Sequence, residues 1–216
     1  MPIEVTVVSD FICPWCLIGE RRLRKAIATL PGEIKVELAF RPFELNPDMP
    51  PEGRDRTAYR VAKFGSLERS MAMDAQIVAI GQAEGIAFNY DKIARTPSTF
   101  AAHRLMWLAA RERKPETLAD LLFAAYFNEG QDLGSRSVLL AVAARAGLAP
   151  ARVEAFLDGD EGVADVRALE MQAYQAGVSG VPYFQVGGFG VVGAQSPEIL
   201  ADALRRAAGI GNASAA

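Results

Sequence analysis

The residues in this chain that are best suited to chemistry are its two cysteines, Cys13 and Cys16. Two thiols at this spacing can form a disulfide and exchange it with an external thiol or disulfide. The chain has no other cysteine and one histidine, His103, so neither a disulfide-stapled scaffold nor a structural zinc centre is expected, and we predict no metal site. Leu17 follows Cys16, which excludes the C-x-x-C-H pattern of haem attachment.

The segments on either side of the cysteines predict a strand that leads into a helix. Residues 3–8 are apolar and β-branched, as in a buried strand, and apolar residues recur at helical spacing from Leu17 onward. A cysteine at a helix N-terminus has its thiolate stabilised by unpaired backbone N–H groups and by the helix dipole. Pro14 suits the first turn, where its missing N–H is not needed. We therefore predict that Cys13 is the exposed nucleophile and that Cys16 resolves the mixed disulfide.

The remaining elements complete a sheet around this helix. Residues 34–40 alternate between apolar and polar and predict a second strand, which makes a right-handed βαβ unit. Near the other end, two apolar segments flank Gly187 and Gly188 and predict a hairpin, followed by a helix from Ser196 to about residue 208. Six helical patterns lie between the two ends, at residues 66–84, 98–113, 115–128, 135–146, 149–157 and 160–176.

This order of elements predicts an α/β fold of the form βαβ … αββα with a large all-helical insertion. We assign residues 1–48 and 160–210 to the sheet domain and residues 49–159 to the insertion, and we expect a flexible tail at residues 211–216.

Composition and charge narrow the classes of function. The chain is 50% hydrophobic and 23% charged, as is usual for globular proteins, and its formal net charge is −3. That charge gives no support to nucleic-acid binding. No apolar run is long enough to cross a bilayer, and residues 1–4 lack the basic and apolar regions of a secretory signal. We expect a cytoplasmic protein that binds neither nucleic acid nor membranes.

Five segments spread over nearly the whole chain resemble the DsbA-type thioredoxin-fold family, in particular its FrnE-like subgroup of dithiol–disulfide oxidoreductases. They are SDFICPWC at 9–16, RPFELNP at 41–47, AHRL at 102–105, GVSGVPYF at 177–184 and GAQSPE at 193–198. The resemblance implies a thioredoxin fold and an oxidase, reductase or isomerase of disulfides. It also implies that Pro182 is a cis-proline facing Cys13. In such folds Val181 offers backbone groups to an extended substrate, while Pro14 and Trp15 are further candidates for substrate contact.

Two relatives of that family suggest an alternative chemistry. Kappa-class glutathione transferases and 2-hydroxychromene-2-carboxylate isomerases are similar in fold, but they carry a serine in place of the nucleophilic cysteine. Because this chain keeps both cysteines, direct exchange with protein or small-molecule thiols and disulfides is favoured. A glutathione-dependent isomerase or transferase is one alternative, and a chaperone-like module with an apolar groove is another. No bound cofactor is expected, and glutathione enters only as a redox partner.

Several residues near the motif have roles that stay open at this point. Thioredoxins and DsbA proteins carry a buried acid six residues before the first cysteine, where this chain has Val7. Asp10 either assists proton transfer or only hydrogen-bonds the loop. Trp15 either contacts substrate or packs on the insertion. His103 is expected to be a hydrogen-bonded structural residue. Because no histidine lies between the cysteines, a strongly oxidising protein is not expected.

Overall fold

The computed structural model describes residues 2–210 and shows strands near both ends of the chain, with helices between them. The strands are β1 (Ile3–Ser9), β2 (Val36–Pro42), β3 (Arg54–Asp55), β4 (Arg95–Thr96), β5 (Tyr183–Val186) and β6 (Phe189–Val192). The helices are α1 (Pro14–Ala28), α2 (Arg56–Phe64), α3 (Leu67–Ala83), α4 (Phe100–Arg111), α5 (Pro115–Phe123), α6 (Arg136–Arg145), α7 (Pro150–Asp158), α8 (Val163–Gln175) and α9 (Pro197–Ala207). The tail predicted at residues 211–216 lies outside the described residues.

Four strands form the main sheet, in the order β2-β1-β5-β6. β2 runs parallel to β1 after the α1 crossover, whereas β5 runs antiparallel to β1 and pairs with β6 as a hairpin. The register places Val7 opposite Phe184 and Val8 opposite Tyr183. The predicted α/β thioredoxin fold with a helical insertion is confirmed.

Two apolar layers hold the helices against this sheet. In the first layer, Val5 and Val7 of β1 pack with Leu23 of α1 and with Leu200 and Leu204 of α9. The second and larger layer contains both cysteines together with the buried side chains of α4, α5 and the segments after them. Burial of apolar surface stabilises the fold, and it includes both cysteines in the larger layer.

The structure differs from the sequence prediction mainly in the insertion. Helix α2 is absent from the helices predicted by the sequence. It is short, and none of its nine residues is fully buried, although Arg56 and Arg60 are largely covered. It begins where the Asp55 side chain accepts a hydrogen bond from the Ala58 N–H at 2.8 Å. The two-residue strands β3 and β4 pair within the part that we expected to be all helical. The helix predicted at residues 115–128 ends in a π-helical turn at Ala124–Asn128.

Candidate active site

The backbone around the two cysteines forms a tight turn that opens helix α1. Cys13 is the N-cap residue, with extended backbone angles, and Pro14 is the first helical residue. The Cys13 carbonyl accepts hydrogen bonds from the N–H groups of Cys16 at 3.1 Å and Leu17 at 3.4 Å. The Cys13 N–H donates in turn to the Asp10 carbonyl at 3.0 Å. Both thiols are free, and they occupy the strand-to-helix junction predicted from the sequence.

The two cysteines differ in their surroundings less than the sequence suggested. Cys13 is 4% exposed and Cys16 is 2% exposed, so the expectation of an exposed Cys13 was wrong. The neighbouring helical part covers its side chain, and Cys13 reaches solvent only as part of a pocket wall. Burial raises the pKa of Cys16 well above its ordinary value, and the hydrogen bond and charge of Cys13 raise it further. Cys16 is therefore a protonated thiol at neutral pH.

The far end of the chain supplies a second wall of the site. The Val181–Pro182 peptide bond is cis, and the Cys13 Sγ lies 3.7 Å from the Val181 carbonyl oxygen. Strand β5 holds these residues in place, because it starts at Tyr183 and pairs with β1. The structure thus brings together the residues that the sequence singled out at opposite ends of the chain.

A pocket of about 320 Å³ opens in front of Cys13. Pro14, Trp15 and Val181 contribute to its wall, and Trp15 is 39% exposed. The opposite wall comes from the loop after β2 and from α2, α3 and the π-helical turn. Its polar and aromatic lining residues include Asn46, Arg56, Tyr59, Arg60, Lys63, Asp74, Tyr90 and Tyr126.

The charges in this wall are predominantly positive. Asp74 lies 2.6 Å from Arg56 and 2.7 Å from Arg60, so one carboxylate forms ion pairs with two guanidinium groups. The Lys63 ammonium donates to the Tyr59 hydroxyl at 2.7 Å and has no carboxylate partner among the described residues. The pocket therefore favours substrates that carry negative charge.

Sequence reasoning missed this wall because it missed helix α2. A signal was available: Arg56 and Arg60 are four residues apart, as are Tyr59 and Lys63, and residues at that spacing share one face of a helix. Met73 of α3 also lines the pocket and is 37% exposed.

Asp10 and His103 form a buried pair beside the cysteines. Asp10 is fully buried, and its Oδ2 accepts a hydrogen bond from the Leu45 N–H at 2.8 Å. Its Oδ1 lies 3.5 Å from His103 Nε2, but neither atom has a hydrogen bond of good geometry. His103 packs against the Phe11 ring at 5.1 Å. The structural role expected for His103 therefore rests on packing rather than on a hydrogen bond at Nε2. Val7, where relatives carry an acid, is simply buried in the sheet.

None of the helices in residues 2–210 combines the length and the apolar character needed to span a bilayer. Within the same residues, no three histidine, cysteine, aspartate or glutamate side chains are grouped as metal ligands would be.

Comparison with known proteins agrees with this architecture. Probable DsbA oxidoreductase SCO1869 from Streptomyces coelicolor is 35% identical, with a TM-score of 0.88 over 96% of this chain and 90% of that one. Cytosolic disulfide reductase DsbM from Pseudomonas aeruginosa, whose structure contains GSH, is 19% identical, with a TM-score of 0.63 over 95% and 96% of the two chains. A 2-hydroxychromene-2-carboxylate isomerase is 16% identical, with a TM-score of 0.72 over 94% and 95%.

The last two likenesses show the fold alone, because their sequence identity is low. The first relative, a probable DsbA oxidoreductase, is similar in both sequence and fold. In addition, a family model for the DSBA-like thioredoxin domain matches residues 4–205, nearly the whole chain. With a thioredoxin sheet, a helical insertion and a pair of thiols at the first helix, this chain belongs to the DsbA-like thioredoxin family.

Proposed function

We propose that the protein is a thiol–disulfide oxidoreductase that forms a mixed disulfide on Cys13, which Cys16 then resolves. The observation that carries this proposal is the position of Cys13. It caps α1, lies next to the Val181 carbonyl and borders the pocket, whereas Cys16 is buried behind it as a protonated thiol. A helix N-terminus stabilises a thiolate, and the thiolate is the species that attacks.

The reaction proceeds in two displacements. The Cys13 thiolate attacks one sulfur of a substrate disulfide, and the electron pair of the broken S–S bond leaves with the other sulfur. Cys16 then gives up its proton and attacks the Cys13 sulfur, so that the second substrate sulfur leaves with its electron pair. The substrate disulfide is reduced by two electrons, and the enzyme dithiol is oxidised to a disulfide. Run in reverse, the same steps oxidise a substrate dithiol.

The substrate contacts that we propose lie around the Cys13 sulfur. Val181 presents backbone groups at the start of β5, as needed for pairing with an extended segment. The exposed ring of Trp15 supports its role as an apolar contact rather than as a packing residue of the insertion. Pro14 and Pro182 complete the surface near the sulfur.

The charge of the pocket supports a substrate with carboxylates. Arg56, Arg60 and Lys63 provide three cations against the single carboxylate of Asp74. Glutathione has two carboxylates and a thiol, and the structure of the similar reductase DsbM contains it. We therefore propose glutathione, free or as its disulfide, as a redox partner of this protein.

A second candidate is a glutathione-dependent isomerase or transferase. The observation in its favour is the shared fold with 2-hydroxychromene-2-carboxylate isomerase, together with a pocket of about 320 Å³, large enough for a small organic substrate. This chemistry needs one nucleophile and no resolving thiol, so it survives the loss of Cys16.

Three further assignments stay predictions. They are the FrnE-like subgroup, the cytoplasmic location, and the boundaries of the sheet domain (residues 1–48 and 160–210) and of the helical insertion (residues 49–159). The similar reductase DsbM is cytosolic, which supports the second of them.

The test uses the two single cysteine variants, which serve as controls for each other. Cys13→Ser is expected to abolish reduction of insulin or of glutathione disulfide. Cys16→Ser is expected to accumulate a mixed disulfide, detected as added mass on the intact protein. Undiminished disulfide reduction by Cys13→Ser would contradict the proposal, and isomerase turnover retained by Cys16→Ser would favour the second candidate.

A further inference from the structure

A second cavity of about 320 Å³ lies between β2, α4 and α8 and shares no lining residue with the pocket in front of Cys13. Protein interiors are close-packed, and voids larger than a water molecule are few in a domain. Small-molecule sites are usually concavities of roughly 300–1,000 Å³, with apolar walls and a few polar groups. The size of this cavity is therefore that of a binding site rather than that of a packing defect.

Apolar side chains form much of the cavity wall, and several of them are aromatic. They include Phe11, Phe40, Met106, Trp107, Val166 and Leu169. Aromatic rings contact another ring favourably in offset-stacked or edge-on arrangements. A compact ring also loses less conformational freedom on binding than a flexible alkyl chain does. The wall therefore favours a ligand with an aromatic body.

Two arginine side chains give the same cavity its positive charge. Arg41 of β2 is half-buried, and Arg111 is the exposed last residue of α4. Neither guanidinium forms an ion pair with a carboxylate among the described residues. They donate instead to main-chain carbonyls, Arg41 to Phe40 at 3.2 Å and Arg111 to Trp107 at 3.4 Å. Against these two cations stands the carboxylate of Asp165 at the start of α8, so the excess of positive charge attracts an anion.

The Trp107 ring holds one of these guanidinium groups in position. The Arg111 Cζ lies 3.3 Å from the centroid of the ring, as in a cation–π stack. A stacked guanidinium keeps the N–H groups along its edges available, and their fork matches the two oxygens of a carboxylate. Arg111 therefore loses little further freedom when it binds such a group.

His103 adds a buried polar side chain to the cavity wall. It is 3% exposed, and its Nε2 lies 3.5 Å from Asp10 Oδ1 without a hydrogen-bond partner. A buried polar atom without a partner is uncommon in proteins and calls for an explanation. Because no hydrogen bond fixes the ring at this nitrogen, the imidazole is free to adjust to a polar group of a ligand.

We propose that this second cavity is a binding site for a small aromatic carboxylic acid. The ring of the ligand lies among Phe11, Phe40 and Trp107, and its carboxylate pairs with Arg41 and Arg111. The site is separate from the pocket of the thiol chemistry. The inference therefore does not depend on the proposed function.

The probe is 3-phenylpropionate, which carries one ring and one carboxylate on a short chain. Titration calorimetry with the unaltered protein should give one saturable site with a Kd below about 1 mM. The amide 3-phenylpropionamide has a similar shape but no charge, and it should bind at least about tenfold more weakly. Acetate, which has the charge without the ring, should not saturate. Absence of saturation by 3-phenylpropionate, or equal affinity for the amide, would overturn the proposal.

Two charge variants with opposite expected effects locate the probe. Arg111→Gln should raise the Kd about three- to tenfold, because a stacked guanidinium that pairs with the carboxylate is lost. Asp165→Asn should lower the Kd about two- to threefold, because a like charge is removed from the lining. Both residues are exposed, so these variants are expected to fold. Arg69→Gln is the matched control, since Arg69 is exposed and lines neither cavity.

A variant in the other positive pocket distinguishes the two cavities. Lys63→Gln removes one cation from the pocket in front of Cys13 and should leave the Kd for 3-phenylpropionate unchanged. If Arg111→Gln binds the probe as well as Arg69→Gln does, the second cavity is not its site and the inference is wrong. The cysteine variants test the oxidoreductase separately, because neither thiol lines the second cavity.

Discussion

The Cys13 Sγ lies 3.7 Å from the carbonyl oxygen of Val181, a residue 168 positions further along the chain. This contact brings an early and a late segment of the chain together at the Cys13 sulfur. It leaves the pocket as the side from which a substrate can reach Cys13, while Cys16 stays behind in the apolar layer.

The first prediction concerns selective modification of the two thiols. Iodoacetamide at pH 7 should alkylate Cys16 at least tenfold more slowly than Cys13. Burial raises the pKa of Cys16 and keeps the reagent away from its thiol. Peptide mapping by mass spectrometry measures the label at each position. Both cysteines should react equally in denaturant, and equal labelling of the folded protein would contradict the geometry.

The second prediction concerns the positive wall of the pocket. Lys63→Gln should raise KM for glutathione disulfide about three- to tenfold with little change in kcat, because one attractive charge is lost from the binding surface. The effect should shrink at high salt. Lys35→Gln is the matched control, since Lys35 lies outside this pocket. Equal KM values for the two variants would rule out a role for Lys63 in binding.

The third prediction concerns the close approach of helix α1 to the start of β5. A Cβ at Gly19 would lie 3.0 Å from atoms of both Pro182 and Phe184, and Phe184 is fully buried and has no room to move. Gly19→Ala should therefore lower the free energy of unfolding by about 1–3 kcal/mol and slow disulfide exchange at Cys13.

Gly32→Ala is the control for that variant. A Cβ at Gly32 meets nothing within 4 Å, so its unfolding free energy should change by no more than about 0.5 kcal/mol. Chemical denaturation of both proteins measures the difference. If the two variants are equally stable, the helix and strand are not packed as closely as described.

The fourth prediction concerns the pH dependence of stability. Burial raises the pKa of Glu20 from 4.5 to about 7, although Arg24 partly offsets this effect. The folded protein therefore binds this proton more tightly than the unfolded chain does. Glu20 contributes stability below pH 4.5 that is lost as the pH rises to about 7. The free energy of unfolding should therefore fall between pH 5 and pH 8, and Glu20→Gln should remove up to about 3 kcal/mol of that fall. Urea unfolding at the two pH values measures the difference.

Glu116→Gln provides the comparison for the Glu20 variant. Glu116 also lies near Arg24, at 3.7 Å, but its side chain is 51% exposed. Because an exposed ion pair is screened by water, this variant should keep the pH dependence of the unaltered protein. An unchanged pH profile in Glu20→Gln would show that Glu20 ionises normally in the folded state.

The sequence predicted the features that depend on neighbouring residues along the chain better than those that depend on contacts between distant segments. Cys13 and Cys16 were recognised from spacing alone, and the sheet strands followed from runs of apolar residues. Helix α2 was missed because it is short and none of its nine residues is fully buried. The expected exposure of Cys13 was wrong because the side chains that cover it come from another part of the chain.

The amino-acid sequence by itself determined the chemistry and the order of elements: two thiols at the start of a helix, and a sheet interrupted by helices. These features depend on neighbours along the chain, so hydrophobic periodicity and residue type are sufficient to reveal them. Only the tertiary structure decided that Val181 contacts Cys13, that His103 faces Asp10, and that α2 lines the pocket with cations. Such contacts arise from the packing of distant segments, and the local pattern of apolar and polar residues does not predict which buried groups come into contact.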